Sequence, residues 1–284
     1  MKKVVIIGHG PAGISAAIYL KRSGVEPIVI GKDYGSFSYD NILIENYYGF
    51  SEPISGKQLV DNGMQQAKRL GIETISDSVL DLKINDDDSF QVITENHTYD
   101  TDAVLLATGK QRLTLNIPGY IKYRGKGISF CATCDGYFYR KKKLAIIGCG
   151  PYMQQELKEL EHITDDVTVF TNNKPLKDSV NHTVITDKIL GFDGETKVTT
   201  IQTDKGNYSV DGIFIAIGTP SSIDFAQKLG VVVEKSNLVV DENYQTNIDG
   251  LFAAGDVVGG KLQIAKAVYD GMMAATSIKN YLKK

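Results

Sequence analysis

Residues 4–7, Val-Val-Ile-Ile, are four consecutive apolar positions, the pattern of a short parallel strand buried on both faces. Ile14, Ala17 and Ile18 follow at helical spacing and share one face with the stem of Lys21. Gly24 closes that helix, and residues 27–30 begin a second strand. Between the first strand and the helix lies Gly8-His9-Gly10-Pro11-Ala12-Gly13, a G-x-G-x-x-G in a β-turn-α-β setting.

Farther along, residues 35–60 read as irregular, with a helical pattern over 55–70. Short alternating strands are predicted near 79–84 and 90–94, and an apolar strand at 103–107. Pro118, Gly119, Gly125 and Gly127 make residues 112–127 loop-like, which places a domain crossing there. Residues 144–147 then open a second strand-turn-helix pattern, Gly148-Cys149-Gly150-Pro151-Tyr152-Met153, with the next strand at 167–170. Ala107-Thr108-Gly109 ends the first half as Ala216-Ile217-Gly218 ends the second. The tail, a strand at 251–256 and a helix over 262–282, lacks a partner strand of its own and is expected to return to the first domain. The predicted fold is α/β with two Rossmann-like domains, residues 1–112 with 246–284 and an inserted domain at 113–245.

Composition narrows the function classes. Lys plus Arg number 31 and Asp plus Glu 34, a net charge of −3, which argues against non-specific nucleic-acid binding. No apolar run approaches the ~20 residues that span a bilayer, and Gly8 interrupts the N-terminal apolar stretch too early for an export signal. Three cysteines make no disulfide framework, so a reducing cytoplasm is the expected compartment. Glycine supplies 28 of 284 residues, above the ~7% usual share, as tight turns and close approach to a ligand require.

Each glycine of the first loop has a physical reason. Gly8 permits the turn, Gly10 lets backbone approach a pyrophosphate, and Gly13 permits close helix–strand packing. The helix N-terminus adds free N–H groups and a positive dipole end. The acidic residue expected after the second strand is absent, since Ile30 is followed by Gly31 and Lys32; ribose recognition must use other contacts.

Cys131-Ala132-Thr133-Cys134-Asp135 is the sharpest chemical signal. Two thiols at this spacing can close a disulfide and exchange it with another, and an adjacent carboxylate can shuttle the proton. The competing readings are half a zinc site or two packed cysteines. Zinc needs four ligands, and Cys149 with His9, His97, His162 and His182 offers no second pair. Redox chemistry is the favoured reading. Cys149 itself reads as a small packed residue.

These segments, together with Glu45-Asn46-Tyr47-Tyr48-Gly49 and Gly250-Leu251-Phe252-Ala253-Ala254-Gly255-Asp256, occur in an order and spacing that resemble the low-molecular-weight thioredoxin reductases over nearly the whole chain. Cys-Ala-Thr-Cys-Asp-Gly is highly specific to that family. The resemblance implies FAD in the first domain, a redox disulfide in the second, thioredoxin as a partner, and a homodimer. It implies that Cys134 faces the flavin, that Cys131 attacks thioredoxin's disulfide, and that Asp135 handles the proton. Carried over residue by residue, it assigns FAD binding to Gly8, Gly10, Pro11, Ala12, Gly13, Asn46, Val79, Ala107, Thr108, Gly109, Gly255, Asp256, Gln263, Ile264 and Ala265.

Departures from the family are informative. An NADPH-dependent reductase has a second glycine loop that ends in a small residue, then a basic His-Arg-Arg after the next strand; arginine there pairs with the 2′-phosphate. Here the third loop position is Met153, and the next strand is followed by Thr171-Asn172-Asn173. Lys174 is a displaced point charge. This pattern resembles the ferredoxin-dependent flavin thioredoxin reductases, which lack the pyridine-nucleotide site. Lys110, Arg112, Lys122, Arg124 and Lys126, with Arg140-Lys141-Lys142-Lys143, supply basic residues for an acidic donor; a lysine-rich solvated surface is the bland alternative. The rival functions are a reductase using NADPH or NADH through an altered site, and a redox sensor that keeps FAD for structure. Retention of both thiols and Asp135 argues against the sensor.

Overall fold

The computed structural model describes residues 3–32, 34, 43–110, 116–130, 132–218 and 220–283, without the side chains of Thr133 and Cys134. It divides into two compact units, Met1–Arg112 with Ser221–Lys284, and Leu113–Pro220.

In the first unit, β1 (Lys3–Ile7) leads through α1 (Pro11–Arg22) to β2 (Glu26–Ile30). The short pair β3 (Leu43–Ile44) and β4 (Ile54–Ser55) precedes α2 (Gly56–Arg69), whose Ser55 hydroxyl caps the Gln58 amide. Then come β5 (Glu73–Ile75), an antiparallel meander of β6 (Val79–Ile84), β7 (Phe90–Thr94) and β8 (Thr98–Thr101), and β9 (Ala103–Leu106). The second unit carries α3 (Tyr120–Tyr123), β10 (Ile128–Ser129), α4 (Ala132–Asp135), β11 (Leu144–Ile147), α5 (Pro151–Glu161), β12 (Val167–Phe170) and β13 (Thr183–Ile185). A second meander of β14 (Ile189–Asp193), β15 (Thr200–Thr203) and β16 (Asn207–Ser209) leads to β17 (Gly212–Ile215). The chain returns to the first unit as α6 (Ser222–Leu229), the pair β18 (Val233–Glu234) and β19 (Asn237–Leu238), β20 (Leu251–Ala253) and α7 (Ile264–Tyr281).

Each unit is built on a five-stranded parallel sheet, ordered β20-β9-β1-β2-β5 in the first and β10-β17-β11-β12-β13 in the second. Successive strand residues point to opposite faces, and the first core divides accordingly. Val4, Ile6, Leu105 and Phe252 pack with Ala16, Leu20 and Ala274 of α1 and α7. Val5, Ile7, Leu106 and Ala253 pack with Val79, Val92, Phe225 and Ala226 on the other face. Both faces are covered, which is why β1 is apolar from Val4 to Ile7.

The tail does return to the first sheet: β20 pairs with β9 in parallel. Residues 221–245 correct the expected boundary, because they too belong to the first unit rather than to the inserted one. The reason is burial, since α6 places Phe225 and Ala226 in the apolar cluster of Val5, Val79 and Val104.

Candidate functional site

The two glycine loops share one geometry. Gly8 donates its amide to Ile30 and Gly148 to Phe170, at 2.8 and 3.0 Å. Ala107 donates to Ile7 and Ala216 to Ile147, each at 2.8 Å. A Cβ on Gly8 would lie 2.4 Å from the Ala107 carbonyl oxygen, and one on Gly148 2.2 Å from that of Ala216. The pieces that echo each other in sequence are therefore the pieces that touch.

In the first loop, a Cβ on Gly13 would lie 1.9 Å from the Gly8 carbonyl oxygen, while one on Gly10 would meet nothing within 4 Å. The backbone is tight beneath the turn and open above it, as a pyrophosphate cradle needs. Gly10 starts α1 without a side-chain cap, Pro11 occupies the first turn, and the first amides keep their anion-binding capacity. Ala12 sits against Gly255, whose own Cβ would come within 2.9 Å of the Ala12 Cβ. This brings Gly255 and Asp256 to the mouth of α1. Asn46 donates to Gln263 Oε1 at 3.0 Å, so two FAD candidates 217 positions apart meet just before Ile264 and Ala265 open α7. Thr108 and Ser222 hydroxyls lie 2.8 Å apart, beside Gly109 in left-handed conformation. Val79 is buried at the start of β6.

Burial pushes the Asp256 carboxyl above its usual range; Lys266 and then Lys110 pull it back, and Asp270 adds to the rise. Asp270, 1% exposed, organises this corner. It accepts from Tyr244 at 2.7 Å, the Gly255 amide at 3.1 Å and Lys266 Nζ at 2.6 Å. Burial first, and then the bond to Asp270, raise the Tyr244 phenol well above its usual range. Sequence reasoning passed over Lys266, Asp270 and Tyr244. The i,i+4 spacing of Lys266 and Asp270 was a visible signal; Tyr244 had none. Where an acid after β2 is missing, Gly31 stands against the His9 ring, with a hypothetical Cβ 2.7 Å from Nδ1.

The redox segment lies in the second unit. Cys131 is outside the described residues, and Cys134 sits on α4. Asp135 accepts from the Ser129 hydroxyl at 2.6 Å, and the Ala132 amide donates to Glu156 Oε2 at 2.8 Å. Glu156 was also overlooked. Its signal was an acid in the stripe Tyr152, Met153, Leu157 and Leu160, all buried on α5. Tyr139 has its phenol raised by burial and then by the Asp135 charge. Tyr137 and Phe138 stand 69% and 71% exposed just after α4.

The second loop is as open at Gly150 as the first is at Gly10, a Cβ there meeting nothing within 4 Å, and differs in its third position and in the segment after its next strand. Met153 is fully buried, its Cβ 2.7 Å from where a Gly148 Cβ would stand. After β12 the chain folds back, so that the Lys177 amide donates to the Cys149 carbonyl at 3.0 Å and Gln154 Nε2 to Asp178 at 3.4 Å. Asn172 and Asn173 are both left-handed. Asn172 Oδ1 is taken by the Ile189 amide at 2.8 Å, and the Asn173 amide by the Thr186 carbonyl at 2.9 Å.

Of the expected basic residues, Lys122, Arg124, Arg140 and Lys142 lie over the rings of Tyr123, Phe130, Tyr137 and Tyr139. Lys126, Lys141 and Lys143 are exposed, Lys110 is half-buried, and Arg112 is outside the described residues. Among the described residues no group of His, Cys, Asp and Glu is placed to hold a metal ion, and no helix is long and apolar enough to cross a membrane.

Comparison with known proteins agrees with this layout. The pyridine nucleotide-disulphide oxidoreductase model matches residues 2–271. The thioredoxin reductase of Rickettsia prowazekii is 34% identical, over 99% of this chain and 98% of its own. That of Coxiella burnetii is also 34% identical, over 98% and 96%. Among solved structures, an atypical thioredoxin reductase from Desulfovibrio vulgaris Hildenborough is 37% identical with a TM-score of 0.90, covering 100% of this chain and 98% of its own. A ferredoxin-flavin thioredoxin reductase from Clostridium acetobutylicum is 28% identical with a TM-score of 0.70, over 100% of both.

Proposed function

The chain belongs to the thioredoxin reductases of the pyridine nucleotide-disulphide oxidoreductase family, FAD flavoproteins, and on that premise we propose that it carries electrons from reduced ferredoxin through FAD and the Cys131–Cys134 disulfide to thioredoxin. It acts as a homodimer in a reducing cytoplasm. FAD, when bound, joins one-electron donation to two-electron disulfide chemistry. The first glycine loop, Gly255-Asp256 and the Asn46–Gln263 pair would hold it. Cys134 faces the flavin, Cys131 attacks the disulfide of thioredoxin, and Asp135, oriented by Ser129, moves the proton.

The observation that carries the choice of donor is the uncharged turn after β12. The segment after β12 is tied to the glycine loop by the backbone bond from Lys177 to Cys149, and Asn172 spends its side-chain oxygen on Ile189. Where an arginine fork would take a 2′-phosphate, this chain has uncharged Asn172 and Asn173, and the Asn172 side-chain oxygen is committed to its own backbone. The Clostridium acetobutylicum relative, described as a ferredoxin-flavin thioredoxin reductase, supports the same direction. A nicotinamide-dependent reading draws on the intact Gly148–Phe170–Ala216 framework and on the open space at Gly150.

Anaerobic bleaching of the flavin separates the two. Reduced ferredoxin is expected to bleach it and to drive thioredoxin reduction, while NADPH and NADH leave the colour unchanged over many turnovers. Rapid bleaching by micromolar NADPH would restore the nicotinamide reading. The Cys131→Ser variant is expected to keep FAD and lose thioredoxin reduction.

A further inference from the structure

In a dinucleotide-binding βαβ unit the residue just past the second strand is an acid that takes the 2′-hydroxyl of the adenosine ribose. Here β2 ends at Ile30 and that place falls to Gly31, whose amide donates to the Ile75 carbonyl at 3.0 Å. Gly31 is not among the glycines with positive φ, so the backbone does not require glycine there.

What excludes a side chain is the His9 ring. A Cβ on Gly31 would stand 2.7 Å from Nδ1, 2.9 Å from Cγ and 3.2 Å from Cε1, all inside the ~3.5–4.0 Å of ordinary contact. Strand register makes the two meet. Ile7 pairs with Ile30, and the Gly8 amide donates to the Ile30 carbonyl at 2.8 Å, so His9 leaves β1 beside the residue that leaves β2. An acid at position 31 and an imidazole at position 9 are alternatives for one space. Lys32 is turned elsewhere, its Nζ 2.8 Å from Glu95 Oε2.

We infer that His9 binds the adenosine ribose of FAD, its imidazole standing in for the missing acid and Gly31 being bare to admit the ring. This rests on the flavoprotein reading and adds to it the residue that recognises the ribose. The ring sets its Nδ1–Cγ edge against Gly31, which leaves Nε2 on the far edge, and His9 is half-buried, so part of it remains open to a ligand. A ring nitrogen accepts from a hydroxyl or donates to its oxygen, according to which nitrogen carries the proton. The imidazole therefore supplies the hydrogen bond that a carboxylate would, and a neutral ring does so without setting a negative charge beside a loop that must hold a pyrophosphate.

The test is discrimination at the 2′-hydroxyl. Full-length apoprotein is titrated with FAD and with FAD that carries 2′-deoxyadenosine, binding being read from quenching of flavin fluorescence. Wild type is expected to prefer FAD about three- to tenfold, the worth of one hydrogen bond. His9→Ala should bind both ligands alike, at the affinity wild type shows for the deoxy analogue. Gly31→Ala keeps the imidazole but takes its space, and should lose the preference in the same way. The two changes together should cost no more than either alone, because they remove one contact. A preference that survives His9→Ala would overturn the inference, as would additive losses in the double variant or a preference abolished by Glu95→Gln alone. Should His9→Ala fail to fold, Gly31→Ala decides, since an intact preference there also overturns it. Wild type that binds no FAD would overturn the flavoprotein reading itself, which the other outcomes leave standing.

Discussion

Asp270 accepts the Gly255 amide at 3.1 Å, and the same carboxylate oxygen holds Lys266 Nζ at 2.6 Å. Lys266 in turn donates to the Gly255 carbonyl at 3.2 Å. One helical turn of α7 thus grips both sides of the glycine that presents Asp256 to the mouth of α1. Asp270→Ala takes the acceptor from the Tyr244 hydroxyl and the Gly255 amide and removes the ion-pair partner of Lys266, itself a quarter exposed. The expected loss is about 2–4 kcal/mol of stability, read by urea denaturation, together with weaker retention of FAD on desalting. Undiminished FAD retention would separate this network from the cofactor site.

Restoring arginines is not expected to restore nicotinamide use. The double substitution Asn172→Arg with Asn173→Arg supplies charge where a 2′-phosphate would need it, but the bulky, buried Met153 still stands at the third position of the glycine loop. Removing Asn172 also takes away the acceptor of the Ile189 amide, at about 1 kcal/mol. Titration of the variant with NADPH should give neither bleaching nor protection from heat. Bleaching would show that charge alone had been missing.

Asp256 gives a pH signature. Its folded-state carboxyl is raised above the unfolded value by burial, so the folded protein holds the proton more tightly than the unfolded chain does. The stabilising contribution is therefore present in full below the unfolded value, near pH 4, and is lost as pH rises through the folded one. Asp256→Asn, neutral at every pH, should make the apoprotein more stable than wild type at neutral pH, with the advantage vanishing in acid. Denaturation curves at pH 7 and in acid check it; an equal difference at both would refute the burial argument.

Ferredoxin-driven turnover should fall as salt rises, since charges beyond ~10 Å are largely screened at 0.1 M. The structure directs which lysines to reverse. Lys126, Lys141 and Lys143 are exposed; Arg124, Arg140 and Lys142 are exposed too, but each lies over an aromatic ring, so changing them would also remove a ring contact. Each exposed charge contributes at most about 1 kcal/mol, so the triple change to glutamate is the informative one. It should slow flavin reduction by ferredoxin and leave reduction by dithionite unchanged. Indifference to both salt and charge reversal would remove these lysines from the docking surface.

Local chemistry was legible in the chain by itself. Four apolar residues before Gly8 dictate a buried strand, a Cβ-free Gly13 is the only residue that clears the Gly8 carbonyl, and Leu144–Ile147 repeats the pattern before Gly148. The family motif around Cys131 and Cys134 is equally a property of consecutive residues. What the sequence could not show is what distant segments do to one another. The return of residues 221–245 to the first unit follows from where Phe225 and Ala226 are buried, not from any local period. The tie between the segment after β12 and the second glycine loop depends on Lys177 reaching Cys149, 28 positions back. Glu156 reads as a flaw in an amphipathic helix until α5 is set beside α4, and Tyr244 has no meaning without Asp270. Periodicity and glycine placement act within a turn or a strand, so they are written in neighbouring residues; burial of a polar group is satisfied by whichever partner the folded chain brings near, and only the tertiary structure decides which one that is.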